Sequence, residues 1–333
     1  SPVCCPEINI DAAKCGPETH SFFVYLVHQE EHCPVKTVLE AVPPERHRGE
    51  AAVEAVIEKV AQVHAARPLD RVNIPEIHEE PARSQKGERR KPFEPRMAPR
   101  ALGHLIQERL GIPCMINHVV VHQRSADLLD WCRETWSEYG IREFVLVGGG
   151  LADTVYPGPT VPEASQLMRD ALTIPELRVG NICIPSREDE AARMAAKTAA
   201  GADFFTTQIL YEPDHFTHLL DEMARIGETA DEVLLAFCPV RSLRNIRFLL
   251  WLGVSIPDAL EAWLTEVDDA VPQRSLEQIR RTWADIIDHQ REAGRPRPRL
   301  GVNLAPIGAV APQTTIGLAR DLAAMHDQSL NAV

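Results

Sequence analysis

From residue 37 onward, short runs of β-branched and aliphatic residues alternate with longer stretches whose apolar positions recur at helical spacing. The apolar runs are 37–42 (TVLEAV), 71–77 (RVNIPEI), 113–122 (PCMINHVVVH), 143–147 (EFVLV), 177–184 (LRVGNICI), 204–210 (FFTTQIL), 232–237 (EVLLAF) and 299–304 (RLGVNL). Helical patterns follow over 50–66, 98–110, 126–139, from Val161, over 188–200 and 214–226, near 242–252 and near 314–325. Strands buried on both faces read as near-continuous apolar runs, which points to a parallel sheet with helices outside it. Eight such units predict an α/β fold of one kind, a closed (β/α)8 TIM barrel. An open doubly wound sheet is the alternative, but no GxGxxG joins a strand to a helix.

Two segments break the alternation. Residues 78–97 are charged and contain proline, and read as a long loop. Residues 253–298 carry extra helix, clearest over 279–292, so a helical insertion of about that extent is expected before the eighth strand. Residues 1–36 are expected to form an N-terminal extension and 37–333 the barrel.

Composition narrows the partners. The chain has 333 residues, 44% of them hydrophobic and 25% charged, as in ordinary globular proteins. Lys and Arg number 35 against 48 Asp and Glu, a net charge of −13 that disfavours nucleic acid and anionic membranes. No apolar run approaches the roughly 20 residues that span a bilayer. The first residues lack the charged and apolar regions of a signal peptide, so a cytoplasmic protein is expected. Of the eight cysteines, Cys114, Cys183 and Cys238 lie in strand-like runs, where a thiol acts as a small hydrophobe. Cys4, Cys5, Cys15 and Cys33 are interleaved with His20, His28 and His32, but not in a paired CxxC pattern. They read as an appended segment with reduced thiols, and no metal site is assigned.

A barrel of this kind works at the C-terminal ends of its strands. The polar residues in or just after the apolar runs are Glu40, Asn73, Glu76, Asn117, His118, His122, Asn181, Arg187, Gln208, Tyr211 and Asn303. Glu40 has apolar neighbours on both sides. Burial would raise its pKa, as a general acid near neutral pH requires; a solvent-facing edge position or a partner for a buried arginine would explain it too. Gln208 offers an amide for two-sided hydrogen bonding to a planar heterocycle, or a polar cap on the barrel layer. The glycine run 148–150 after the fourth strand lets backbone approach a ligand, or simply makes a tight turn. His118 and His122 would share one face of a strand, without an assignable third metal ligand.

Three stretches together resemble one family. VLEAVPP around Glu40 is similar to the first-strand signature of methylenetetrahydrofolate reductases. GADFFTTQIL (201–210), with Tyr211, Asp214 and Phe216, resembles the sixth β/α unit, and VLLAFCPV (233–240) the seventh. The resemblance implies reduction of 5,10-methylenetetrahydrofolate to 5-methyltetrahydrofolate on a (β/α)8 barrel. Glu40 falls on the family's catalytic glutamate, implying that it protonates folate N5 and opens the ring to an iminium that accepts hydride. Gln208 falls on its folate-binding glutamine, and Tyr211, Asn117 and Asn303 are expected beside the substrate. The flavin-dependent members' Arg-Gly-Asp after the fourth strand is replaced by VGGG (147–150), and the fifth strand reads GNICIPSREDE (180–190). This departure favours the flavin-independent, mycobacterial-type branch over bound FAD. It implies NADH or NADPH as hydride donor, held near Gly148, Gly149, Gly150, Asn181 and Arg187.

Other functions fit the same barrel. A folate-dependent methyltransferase or demethylation-pathway protein would use the same pterin pocket. A non-catalytic folate-binding subunit would dock to another protein through 1–36 and 78–97; a protein partner or a homo-oligomer is expected in either case.

Overall fold

Eight parallel strands pair in sequence order, and the eighth closes on the first. The computed structural model describes residues 34–331 except 80, 81, 84, 150–153, 229 and 293–296. The strands are β1 (Lys36–Glu40), β2 (Arg71–Pro75), β3 (Cys114–Val119), β4 (Glu143–Val147), β5 (Arg178–Cys183), β6 (Phe204–Thr207), β7 (Glu232–Phe237) and β8 (Arg299–Leu304). The helices are α1 (Gly49–Ala66), α2 (Pro99–Leu110), α3 (Ser125–Tyr139), α4 (Val161–Ala171), α5 (Glu190–Ala199), α6 (Asp214–Ile226), α7 (Leu243–Trp251), α8 (Asp258–Thr265), α9 (Val271–Glu292) and α10 (Pro312–Asn331). The expected (β/α)8 barrel is therefore the fold. None of the described helices is long and apolar enough to cross a membrane.

Alternate residues of each strand face the barrel axis. At the N-terminal end these are charged, and they form a floor. Lys36 pairs with Glu232, and Arg71 with Glu143 at 2.5 Å. Arg178 reaches both carboxylates, at 3.6 and 3.7 Å, and lies over the Phe204 ring. Each buried carboxylate thus has cations against it, which offsets its desolvation. One inward step higher the interior is apolar: Val38, Met115, Val145, Phe204 and Leu234 pack together, with Ile182 against them. Phe204 fits because β5 has glycine opposite it; a Cβ on Gly180 would run into the phenyl ring. The larger core lies between the sheet and the helices, where strand residues facing outward meet the apolar faces of α1, α2, α6, α9 and α10.

The seventh unit differs from the expected one. The outer ring of neighbours runs α1–α6, then α9 and α10; α6 packs on α9 and α9 on α10. The helix over 243–251 is thus not the seventh barrel helix. α9 takes that place, burying Ile279, Trp283, Ile286 and Ile287 in the main core, with Trp283 Nε1 donating to Leu322 O at 2.9 Å. The inserted helices are α7 and α8, which bury Ile246, Leu249, Leu250 and Leu264 in a separate cluster with Tyr211, Cys238 and Val240. All three helices are amphipathic, and only packing decides which of them lies on the sheet.

The charged segment after β2 is a strap that ends on α7. Arg83 and Glu88 donate backbone N–H groups to Trp251 O and Arg247 O, at 3.0 and 3.1 Å. Trp251 O belongs to the last turn of α7, where partners from within the helix run out. Arg89 lies over the rings of Phe93 and Trp251, and Lys86 pairs with Asp258. Backbone meets backbone so closely that a Cβ on Gly87 would collide with Trp251 N.

Two substitutions separate barrel from strap. Trp283→Ala should lower the unfolding free energy by about 3–5 kcal/mol in urea titrations, as expected for a fully buried tryptophan. Gly87→Ala should leave that value near wild type and instead speed proteolytic cleavage within the strap.

Candidate functional site

The two sides of the strand alternation sort the candidate residues. β1 turns Lys36, Val38 and Glu40 toward the axis, which sets Glu40 at the C-terminal mouth. Asn73 stands directly opposite it in the β1–β2 register. On the same inward-facing series are Asn117 of β3, Thr206 of β6 and Asn303 of β8, the last paired with Val38 and Ala236. Gln208 follows one residue beyond β6; its N–H donates to Cys183 O at 2.8 Å, extending the ladder and keeping the alternation. Its own Oε1 accepts from Ile209 N at 3.0 Å.

Glu40 is the chemical centre of this group. It is only partly exposed, and Asn73 Nδ2 donates to its Oε2 at 3.2 Å. Burial pushes its carboxyl up from the ordinary 4.5 to about 7, and the Asn73 hydrogen bond opposes part of that rise. The carboxyl group is therefore divided between its acid and ionised forms at neutral pH. Around it, the buried Oδ1 atoms of Asn73, Asn117 and Asn303 and the Oγ1 of Thr206 have no hydrogen-bond partner among the described residues. An unpaired buried polar atom costs about 1–3 kcal/mol. Several such acceptors lie together at this one barrel mouth. Cys238 also lies near Glu40; burial, chiefly, pushes its thiol up to about 12, so it stays neutral.

Other expected site residues face elsewhere. Asn181 is fully buried on the outer side of β5, where its Nδ2 donates to Ser165 Oγ of α4 at 3.2 Å and to Gly180 O at 2.7 Å. The inward series of β5 is Arg178, Gly180 and Ile182, so Asn181 is one residue out of phase with the mouth and does not line it. Tyr211 is corrected too. Its ring is wholly buried beneath α7, and its hydroxyl donates to Cys238 O at 2.5 Å and lies 3.2 Å from Ser275 Oγ of α9. It ties the inserted helices to the barrel rather than touching a substrate. His118 and His122 do not share a face, because β3 ends at Val119 and a 3-10 turn spans Val120–His122. His118 points outward, stacked on Trp131 at 3.8 Å, with Nδ1 2.9 Å from Glu76; His122 is exposed. His118, His78 and the Val119 N–H hold the Glu76 carboxyl well below the usual range, against its burial. No group of three or more metal-binding side chains occurs among the described residues.

The glycine run is used by the chain itself. Tyr156 lies on Gly149 so closely that a Cβ there would enter its ring, and Gly148 is backed by Val161. Gly150 lies outside the described residues, as do Cys4, Cys5, Cys15 and Cys33. Arg187 is at the mouth end of β5, its Nη1 3.4 Å from the buried Glu190 Oε2. Glu190 Oε1 accepts from Ile184 N at 3.1 Å and lies 3.3 Å from Lys197 Nζ. Thr206 is the inward residue that the sequence reading passed over. Its signal was its even spacing from Phe204 and Gln208.

Fold and site together define a class: a (β/α)8-barrel protein with a carboxyl group of raised pKa set among carboxamides whose oxygens are unpartnered at the C-terminal mouth. Residues 175–289, from just before β5 through most of α9, match the family described as methylenetetrahydrofolate reductase. The resemblance read from the sequence is thus borne out. No curated protein matches the chain. Among solved structures, an uncharacterized protein from Clostridium thermocellum, described as binding two copies of 5-methyl-5,6,7,8-tetrahydrofolic acid, shares the fold. It has a TM-score of 0.71 and 19% sequence identity, covering 88% of this chain and 96% of its own.

Ionising Glu40 in the folded state costs free energy, and the sign of the pH effect follows. Below about 4.5 the carboxyl is neutral in both folded and unfolded chains, and no penalty exists. The penalty grows between about 4.5 and about 7 and is complete above that. Glu40→Gln should match wild type in chemical denaturation at pH 4 and exceed it at pH 8, by at most about 3 kcal/mol.

Proposed function

We propose that the barrel mouth binds a reduced folate and that the chain reduces 5,10-methylenetetrahydrofolate to 5-methyltetrahydrofolate, with Glu40 as the acid. The observation that carries this reading is a carboxyl group with its pKa raised to about 7, among unpaired carboxamide oxygens, in a barrel of the methylenetetrahydrofolate reductase family. A pterin presents several N–H donors along one edge, the complement of an acceptor-rich interior. Gln208 would stand beside the same ring.

Bond balance locates the proton. The product carries its methyl group on N5, so the bond that breaks joins the methylene carbon to N10. Glu40 therefore delivers its proton to N10, not to N5 as the family resemblance was read to imply. The N10 lone pair takes the proton as the C–N bond opens, leaving an iminium between N5 and the methylene carbon. Hydride addition at that carbon completes the methyl group. Glu40 is left ionised, and the Asn73 N–H stabilises that form.

The hydride donor in this reading is NADH or NADPH, a dissociable second substrate. The residues expected to hold it do not form one site, since Asn181 faces α4 and Tyr156 covers Gly149. Gly148 and Arg187 remain on the β4–β5 side, where the guanidinium could pair with a phosphate. A second reading, folate binding without reduction, draws on the description of the Clostridium thermocellum protein, which is of binding alone.

Glu40→Gln should reduce methylenetetrahydrofolate-dependent NAD(P)H oxidation by about 100-fold or more while leaving 5-methyltetrahydrofolate binding intact by calorimetry. In wild type, kcat/KM should fall about tenfold per unit as pH rises above about 7, because the acid form is the active one. Turnover untouched in the Gln variant would overturn the assignment of Glu40. A flavin spectrum from the purified chain would replace direct transfer with a bound redox group, and folate binding with no oxidation of either nicotinamide would favour the second reading.

A further inference from the structure

We propose that Asn73 is a positioning residue that serves both sides of the site: its Nδ2 holds the Glu40 carboxylate, and its Oδ1 accepts a hydrogen bond from the bound ligand. This rests on the reading of Glu40 as the acid. Four observations lead to it. Asn73 lies opposite Glu40 in the strand register, so the two side chains leave neighbouring strands at the same height. It is wholly buried, which restricts its rotamers. Its Nδ2 donates to Glu40 Oε2 at 3.2 Å. Its Oδ1 has no partner among the described residues.

The geometry of a carboxamide links the last two facts. The amide is planar, and its oxygen and nitrogen diverge from one carbon. With Nδ2 committed to Glu40, Oδ1 is directed away from that carboxyl group. A donor on the ligand that meets Oδ1 therefore fixes the amide plane, and the plane fixes Glu40 Oε2. Ligand binding and carboxylate orientation become one event. The bond also acts on the reaction's charge. It strengthens as Glu40 loses its proton, because a donor facing an anion is worth more than one facing a neutral group. Asn73 thus supports the state that follows proton delivery.

The flanking residues give no substitute. The opposing position on the other side of β1 is Asn303, whose register partner is Val38 rather than Glu40. Nor does any other side chain donate to Glu40 among the described residues.

The test uses two near-isosteric replacements in the full chain. Asn73→Leu removes donor and acceptor together and leaves Glu40 Oε2 without its partner; Asn73→Asp keeps the shape and replaces the donor with a second carboxyl. The Glu40 pKa is read without turnover, from carbon-13 titration of glutamate-labelled protein, with the signal assigned by its loss in Glu40→Gln. In Asn73→Leu it should rise by about one unit, and in Asn73→Asp further, because a like charge adds to the lost donor. The alkaline limb of kcat/KM should move by the same amount, with kcat about tenfold or more lower. Affinity for 5-methyltetrahydrofolate should fall about five- to tenfold in Asn73→Leu, where Oδ1 is lost. An unchanged Glu40 titration in both variants overturns the positioning role. A shifted titration with unchanged folate affinity overturns the part assigned to Oδ1. If wild-type chain shows no reductase activity, the titration and the affinity still decide the proposal, so its failure and that of the catalytic reading are told apart.

Discussion

Closure of eight parallel strands leaves each strand only two or three positions that face the axis, and everything at the mouth depends on how those positions are filled. The chain fills them in a graded order. Charged pairs make the floor, with Lys36, Arg71 and Arg178 against Glu143 and Glu232. Apolar side chains from Val38 to Leu234 make the middle. A carboxyl group, three asparagines and a threonine make the mouth. The apolar layer separates the two polar ends, so the cations of the floor do not neutralise Glu40. Among the described residues its only side-chain donor is an amide on the neighbouring strand.

That separation explains why the mouth can hold an acid. Were an arginine within reach, the carboxyl group would ionise and its proton would be gone at neutral pH. Amides avoid this. They carry no net charge, they donate to the carboxylate once it forms, and their oxygens remain available to a ligand. The barrel carries several unsatisfied acceptors there, and under the proposed function a heterocycle that satisfied them would recover that cost.

Much of this was legible in the sequence, for reasons that differ between residues. Glu40 stands out because an acid within V-L-E-A-V conflicts with its neighbours, and Gln208 because its strand is otherwise free of large polar groups. Asn181 looked equivalent but lies on the opposite face. Its strand carries apolar or small residues on both sides, so no alternation reveals the phase; only the register with β4 and β6 does. Tyr211 went astray for another reason: its place beneath α7 depends on helices inserted after residue 242. The choice between α7 and α9 as the barrel helix was hidden in the same way, since each has a competent apolar face. The histidine pair failed at a local turn, where Val120–His122 leave extended geometry.

The tie between the strap and α7 bears on how the molecule assembles. Barrel units pair with sequence neighbours, apart from the seam between β1 and β8, so most of the wall grows by short-range steps. The strap cannot be seated until the segment after β7 exists: the hydrogen bond from Arg247 to Lys86 O joins residues 161 positions apart. Contacts of such separation carry a large loop-closure entropy and form late. The seam that pairs Lys36 with Gly301 joins residues farther apart still, so the strap and the closing seam are both late contacts. Secondary structure and core burial would be acquired first in refolding, and the full architecture of the mouth in a later phase that neither of them reports.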